Sequence, residues 1–390
     1  MKLRLRPGVP LPELPSEMHD AREALGRPVD AGLLEALQSA PGRPEGAIKR
    51  EALARGQAVA VVTGQQPCFP LPLGLTLFKA ATAVALAARE SRRLGVQVAP
   101  IFWSAGDDSD FQEARGQWLP RPGRAPLKVS LQAACERRGA FVGDLPLAQA
   151  YGELLALKGL GDGAALWAPR SGEDLGAREC RILAELFAPW GLLCLDARAA
   201  GLRQASRELF ERYARKRGEF AAAIEDQGAR LEREGGARPL RPDIGSRALF
   251  FLRGRRRSLP RAADYGERLA ERLATQPDSL SPNAALRPLI QDALLPVCAA
   301  VLGPGEWAYH RQLLPAFAVM ELAFPAAVPR LALAAEGWAP GADPWRGSSP
   351  LALAGHPLGD PILLVALAME HLVHWDEGRT GELVWEGEAP

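Results

Sequence analysis

The sequence predicts an α/β fold, a mostly parallel sheet flanked by helices, on three observations. Ala58-Val59-Ala60-Val61-Val62 is a short continuous apolar run, as expected for a strand buried on both faces. A helical stretch from Gly74 to Arg93 follows, with Gly95 placed as its C-cap, and Val96 to Trp103 reads as a second buried strand. The strand-then-helix pattern then returns twice. Leu192-Leu193-Cys194-Leu195 ends in Asp196 before a helical stretch to Glu234, and Val297 to Leu302 ends in Gly303-Pro304-Gly305-Glu306 before a helix from Trp307 to Leu322. Strand, helix and strand in this order make a βαβ unit, with parallel strands and a right-handed crossover.

The other elements follow in chain order. Residues 1–55 read as Pro-rich chain and then weakly amphipathic helices around Gly32–Gln38 and Glu45–Arg55. Residues 114–190 mix Gly, Pro and short apolar runs and support no element. Ala248–Leu252, Arg253-Gly254 and Arg255–Leu259 read as a β-hairpin. Its arginine cluster (Arg253, Arg255, Arg256, Arg257) reads as a solvated turn, with a grip on phosphate as the alternative. Residues 334–361 are rich in Gly, Pro and Ala and read as a linker. An apolar helix over Ile362–His374 and a short strand at Leu383-Val384-Trp385 close the chain. The chain thus divides into an N-terminal helical segment (1–55), a core (56–330), and a linker with a C-terminal segment (331–390).

Composition excludes several function classes. Among 390 residues, 47 Lys and Arg balance 46 Asp and Glu, a net charge of +1, so neither nucleic acid nor an anionic membrane surface is an expected partner. Met1 to Leu14 mixes Arg with Pro and lacks the apolar region of a secretory signal. Between Pro67 and Ala88 the only charge is Lys79, but prolines 67, 70 and 72 interrupt the run. A central Lys would also cost about 2.5–3.5 kcal/mol in a bilayer, so a buried helix after an irregular loop is expected instead. Five scattered cysteines with no C-x-x-C pair predict a reducing, cytoplasmic setting.

Loops that follow parallel strands open on one carboxyl edge, where ligands of such sheets sit. In Thr63-Gly64-Gln65-Gln66-Pro67, Gly64 permits a tight bend, and Thr63, Gln65 and Gln66 suit a sugar hydroxyl, an amide or a carboxylate. An ordinary turn facing water is the alternative. Lys79, a lone charge on an apolar helix, needs a partner or an anionic ligand unless it snorkels to solvent. Asp107, Asp108 and Asp110 can act as general base, as Mg²⁺ ligands or as anchors for a substrate amine; a solvated turn or helix N-cap competes. Arg287, just before Pro288, can clamp a carboxylate or phosphate, or simply pair with Asp292 or Glu306. Gly303-Pro304-Gly305-Glu306 opens a helix whose free N–H groups favour an anion. His371 and His374, beside Glu370, Asp376 and Glu377, read as a surface helix rather than a metal site. No phosphate-loop, G-x-G-x-x-G or G-x-S-x-G pattern is present. The residues by themselves support a polar small-molecule site and stop short of a reaction.

Several motifs together resemble the bacillithiol-synthesis cysteine-adding enzymes, a family of cysteine ligases. The matching stretches are Val61-Val62-Thr63-Gly64-Gln65-Gln66-Pro67, Leu77-Phe78-Lys79-Ala80 and Pro100-Ile101-Phe102-Trp103 with the acidic loop to Phe111. Leu280-Ser281-Pro282-Asn283, Leu286-Arg287-Pro288-Leu289-Ile290-Gln291-Asp292, Gly303-Pro304-Gly305-Glu306 with Ala308-Tyr309, and Val328-Pro329-Arg330 follow in the same order. The resemblance covers about residues 56–330. It implies a Rossmann-like core with inserted segments and a reaction joining the carboxyl group of cysteine to the amine of glucosaminyl-malate. ATP is the energy source this implies, with Mg²⁺ as a companion. Asp107, Asp108, Asp110 and Lys79 would be catalytic. Thr63, Gly64, Gln65, Gln66, Trp103, Asn283, Arg287, Gln291, Asp292, Gly303, Gly305, Glu306 and Tyr309 would bind substrate or nucleotide.

Three departures from the family pattern bear on this reading. Ser109 stands where the family's acidic loop carries a His, and Cys68-Phe69-Pro70-Leu71-Pro72-Leu73 replaces a Gly-rich run. No heptads follow Arg330, so the family's coiled-coil dimer is not expected. A non-catalytic relative that keeps the crevice, and an amide-forming enzyme with another amine acceptor, therefore stand beside the ligase as alternatives.

Overall fold

The structure, a computed structural model, describes residues 2–6, 24–69, 74–121, 124–131, 137–147, 166, 168–335 and 383–386. Strand β1 (Lys2–Arg6) comes first, then helix α1 (Ala31–Ala36), the short strand β2 (Leu37–Gln38) and helix α2 (Pro44–Ala54). Strand β3 (Ala58–Gln65), helix α3 (Gly74–Leu94) and strand β4 (Gln97–Ser104) form the expected βαβ unit, and Gly95 ends α3 with a φ of 69°. Next come α4 (Phe111–Ala114), the hairpin β5 (Gly116–Arg121) and β6 (Arg124–Ser130), and α5 (Leu175–Leu186). Strand β7 (Leu193–Asp196) leads to α6 (Ala200–Ala205) and α7 (Arg207–Arg233). The chain continues through β8 (Leu249–Leu252), β9 (Arg257–Ser258), α8 (Glu267–Thr275), β10 (Leu280–Pro282) and α9 (Arg287–Leu294). The described part ends with β11 (Val297–Leu302), α10 (Pro304–Val319), β12 (Ala326–Pro329), β13 (Ala332–Ala335) and β14 (Leu383–Glu386).

The main sheet has the order β12-β11-β3-β4-β7-β2. Its first five strands are parallel, and β2 is an antiparallel edge strand on β7. From β3 the chain builds outward through β4 and β7, then returns to the other side of β3 with β11 and β12. The order therefore reverses between β3 and β11. The carboxyl ends of these two strands flank the crevice where open α/β sheets bind ligands.

Side-chain alternation explains the two layers. Ala58, Ala60 and Val62 of β3 join one core with Leu209, Phe210 and Tyr213 of α7 and Leu289 of α9. Val59 and Val61 face the opposite way, against Ala83, Leu86 and Ala87 of α3. A strand buried on both faces needs an apolar residue at every position, which the continuous run supplies. Each fully buried Val or Leu contributes about 1.5–3 kcal/mol.

The structure corrects several expectations. The Pro-rich N-terminus begins with a strand, β1, which pairs antiparallel with both β13 and β14. Ala334 and Ala335, expected to begin a linker, belong to β13, while the strand expected at Leu383-Val384-Trp385 is present as β14. The stretch to Glu234 is two helices, because Ser206 ends α6 before α7 begins. Residues 114–190, read as elementless, contain β5, β6 and α5, and Asp174 caps α5 by accepting from the Ala177 N–H at 2.9 Å. The helix Ile362–His374, with His371 and His374, lies outside the described residues. Among the described residues no helix is long and apolar enough to cross a membrane.

Candidate functional site

The reversal point between β3 and β11 is built around Lys79. Its side chain is only 3% exposed, and Nζ pairs with Glu306 Oε2 at 2.6 Å. It also donates to the Gly64 carbonyl and to Gln65 Oε1, each at 2.8 Å. Three separated motifs thus meet on one ammonium group. Glu306 Oε2 additionally accepts from the Gly303 N–H at 2.8 Å. Burial pushes the Lys79 pKa below its ordinary value although Glu306 opposes the shift. Burial pushes Glu306 up, but Lys79 and the Gly303 amide outweigh it and leave the carboxyl below its ordinary value. The anion expected at Lys79 and at the start of α10 is therefore the protein's own Glu306. Gly305 faces open space.

Thr63 and Gly64 hold neighbouring strands together. Thr63 Oγ1 donates to the Val301 carbonyl at 2.9 Å, tying β3 to β11. A Cβ on Gly64 would lie 2.5 Å from the Trp103 carbonyl, so close strand contact requires glycine there. Gln66 and Trp103 are buried, and Gln66 Nε2 and Trp103 Nε1 have no hydrogen-bond partner among the described residues.

The acidic loop after β4 does not gather its carboxylates. Asp107 is buried, and its Oδ2 accepts from Ser281 Oγ at 2.7 Å and Arg257 Nη2 at 2.6 Å. Asp108 Oδ1 folds back onto the Ser109 and Asp110 N–H groups, at 2.5 and 3.2 Å. Asp110 caps α4 by accepting from the Glu113 N–H at 3.0 Å. Among the described residues no three His, Cys, Asp or Glu side chains are gathered as metal ligands. Arg257, expected in a solvated turn, is instead buried against Asp107 with its guanidinium 5.0 Å from the Phe250 ring centroid.

Arg198, which sequence reasoning missed, fixes this loop from below. Its Nη1 donates to Asp144 Oδ1 and Asp174 Oδ2, both at 2.6 Å, and its Nη2 donates to Asp196 Oδ2 at 2.5 Å. Burial opposes its charge, but Asp174 and Asp196 hold its pKa well above the ordinary arginine value. Gly106, Gly143 and Gly176 surround it; a Cβ on each would lie 3.0, 2.7 and 2.5 Å from an Arg198 nitrogen. The legible signal was an Asp-x-Arg sequence, Asp196-Ala197-Arg198, at a strand's carboxyl end.

Arg287, in the first turn of α9, lines the carboxyl-edge space without an ion pair among the described residues. Its Nη2 donates to Tyr309 Oη at 3.1 Å. Neither Asp292 nor Glu306 is ion-paired with it, contrary to the structural alternative. Burial pushes the Tyr309 hydroxyl up to about 12 against the pull of Arg287. His310, next along α10, is buried with neither ring nitrogen hydrogen-bonded among the described residues. Burial, reinforced by Arg287, pushes it down to about 3, so it is a neutral imidazole at neutral pH.

Three expected ligand groups have other places. Asn283 caps its own turn, Oδ1 accepting from the Ala285 N–H at 2.9 Å and Nδ2 donating to the Ile244 carbonyl at 2.9 Å. Gln291 Nε2 donates to Asp292 Oδ1 at 3.3 Å. Asp292 lines a separate cavity of about 320 Å³ with Arg27, Arg212 and Val297, at the amino end of β11 and so at the opposite sheet edge. On the carboxyl edge, Trp103, Asp107, Arg203, Arg257 and Arg287 line a small space of about 20 Å³.

Glu179 of α5 is a further buried acid that the sequence did not single out. Its Oε2 accepts from Ser104 Oγ at 2.8 Å at the end of β4. Burial pushes Glu179 up to about 8 against the Ser104 bond, and burial likewise pushes Asp292 up to about 8. A carboxyl whose folded pKa is raised contributes stability that is fully present below the unfolded pKa and lost as pH rises through the folded value. The urea midpoint of the protein is thus expected to fall between about pH 4.5 and 8, and Glu179→Gln to flatten that fall. An equal pH slope in the variant would show that Glu179 ionises normally.

Comparison with known proteins bears on these features. Residues 20–331 match the family model described as bacillithiol biosynthesis BshC, N-terminal Rossmann-like domain, a longer stretch than the motifs alone cover. A protein of Koribacter versatilis named "Putative cysteine ligase BshC" is 34% identical over 287 residues, covering 69% of this chain and 53% of the relative. A Geobacillus kaustophilus protein of the same name is 30% identical over 312 residues, covering 72% and 56%. One from Symbiobacterium thermophilum is 29% identical over 339 residues, covering 77% and 60%. The chain spans about half the length of the curated relatives it matches.

Proposed function

Because the chain belongs to the bacillithiol-biosynthesis BshC family, we propose that it acts as a ligase joining the carboxyl group of cysteine to the amine of glucosaminyl-malate. The observation that supports this most directly is the crevice between β3 and β11, where Arg287 and Tyr309 stand beside the Lys79–Gln65–Glu306 cluster. Such a site offers a buried guanidinium for an oxyanion within a frame of neutral and paired groups.

A free carboxylate resists attack by an amine, so one of its oxygens must first become part of a leaving group. ATP supplies that group in this reading, and Mg²⁺ would accompany it. Lys79 is neutralised by Glu306, which leaves Arg287 as the residue to face the phosphates or the activated carboxyl. As the new C–N bond forms, the amine nitrogen must lose a proton. Ser109 provides no base, and Asp107 is bonded to Arg257 and Ser281; that leaves Asp108, its side chain 41% exposed and 3.6 Å from Arg257, and the exposed Asp110 as the acidic-loop carboxylates open to solvent. Among the described residues the cysteines Cys68, Cys180, Cys194 and Cys298 are buried free thiols, which agrees with a reducing compartment.

The test is incubation of purified protein with ATP, cysteine and glucosaminyl-malate, with the amide read by mass. Arg287→Ala is expected to lower turnover about 100-fold, the loss of about 2.7 kcal/mol of oxyanion binding. Turnover within twofold of wild type would remove Arg287 from the site. The departure at Ser109 favours a second reading, an amide-forming enzyme with a different acceptor. Product with another amine but none with glucosaminyl-malate would establish it, and product with no amine would leave a binding protein.

A further inference from the structure

Arg203 presents an empty fork to the carboxyl edge. It stands on α6, just after β7, and its Nε and Nη2 are enclosed with no hydrogen-bond partner among the described residues. These two nitrogens share one edge of the guanidinium, the edge that binds both oxygens of a carboxylate side-on. The guanidinium carbon lies over the Phe141 ring, 5.4 Å from its centroid, a cation–π contact. Trp103 Nε1, on a side chain only 1% exposed, is a second donor without a partner. Both residues line the space of about 20 Å³ that Arg257 and Arg287 also border.

The charges around this space do not balance. Three guanidinium groups line the space with one carboxylate, Asp107, which already accepts from Arg257 and Ser281, while Arg257 Nη1 also lies 3.6 Å from Asp108 Oδ1; Arg203 is left without an ion pair among the described residues. Burial pushes the Arg203 pKa down, Asp107 opposes, and Arg255 and Arg257 add to the lowering. An enclosed cation with idle donors is costly unless an anion joins it. The space takes about one water-sized group. One oxygen of a planar carboxylate docked on the fork fits within it, with Arg203 and Trp103 both in its lining, where a tetrahedral phosphoryl group is bulkier.

We propose that Arg203, with Trp103 Nε1, forms a carboxylate subsite that anchors the acidic arm of the acceptor substrate. This rests on the reading of the carboxyl-edge crevice as the substrate site. Arg203 here is a binding and specificity residue; it does not touch the bond being formed.

Titration calorimetry of the purified chain tests the subsite without turnover, with L-malate, inorganic phosphate and the neutral N-acetylglucosamine as probes. Malate is expected to bind wild-type protein, and Arg203→Met to weaken it at least tenfold, about 1.4 kcal/mol. Arg203→Lys should fall between, since an ammonium keeps the charge without the fork. Thermal melts without ligand are expected to be as cooperative in both variants as in wild type, which separates lost binding from lost folding. Malate binding unchanged in Arg203→Met overturns the proposal, and so does phosphate binding tighter than malate. The two readings fail separately. Malate binding that depends on Arg203, with no amide product, leaves the subsite standing and sinks the ligase. Product formation by Arg203→Met at the wild-type acceptor KM does the reverse.

Discussion

Lys79→Met is expected to destabilise the protein by about 3–5 kcal/mol, because it leaves the Glu306 carboxylate enclosed without its cation. The loss should appear as a lower urea midpoint with little change in slope, and it should abolish any activity of the crevice. Adding Glu306→Gln to the same chain should recover most of the stability. An amide can still accept from the Gly303 N–H, and no buried charge then remains unpaired. Activity should not return with it, since Gln65 and the Gly64 carbonyl lose the donor that orients them. A Lys79→Met variant within 1 kcal/mol of wild type would mean that water reaches and solvates the Glu306 carboxylate.

An effect of similar size is expected at Arg198. Replacement by Met leaves Asp174 and Asp196 without their shared cation and Asp144 with Arg255 alone, a loss of about 3–5 kcal/mol. The pH dependence provides the sharper check. In the wild type, burial raises Asp144, but its bonds to Arg255 and Arg198 outweigh burial and hold its pKa below the ordinary value. A carboxyl lowered in this way contributes stability that is present above its unfolded pKa of about 3.9 and lost as pH falls through the folded value. With Arg198 gone, the three carboxylates repel and acid relieves them. The stability gap between wild type and Arg198→Met should therefore narrow as pH falls below about 5. A constant gap would show that the carboxylates do not depend on Arg198.

The strands of the main sheet were legible because a strand buried on both faces must be apolar throughout, and Ala58–Val62 and Val297–Leu302 are. Strand β1 was legible in principle, since Lys2-Leu3-Arg4-Leu5-Arg6 alternates with a period of two. Its partners lie at the far end of the chain, so nothing local announced the pairing. For the site, the need of Lys79 for a partner followed from desolvation alone. That the partner is Glu306 depends on the strand order, which puts β11 beside β3. Asp110 and Asn283 misled because a side chain that caps a turn and one that binds a ligand are chemically the same. Arg257 misled in the opposite direction. Arg255, two residues earlier, stays 59% exposed, whereas Arg257 lies on β9, where Asp107 and Phe250 close its side chain off from water.

The nest around Arg198 also limits how the chain can change over generations. Gly106, Gly143 and Gly176 come from three different segments, yet each has a Cβ position filled by the same guanidinium or its partners. None of them is required to be glycine by its own backbone, since none has a positive φ. Loss of the arginine would relieve these positions only in part, since a Cβ at 106 or 176 would still lie 2.7 or 2.9 Å from the Asp196 carboxylate and one at 143 would lie 2.8 Å from the Gly106 carbonyl. Among relatives, side chains at 106 and 176 should therefore appear only where both Arg198 and Asp196 have changed, and position 143 should stay glycine for as long as the Gly106 carbonyl keeps its place.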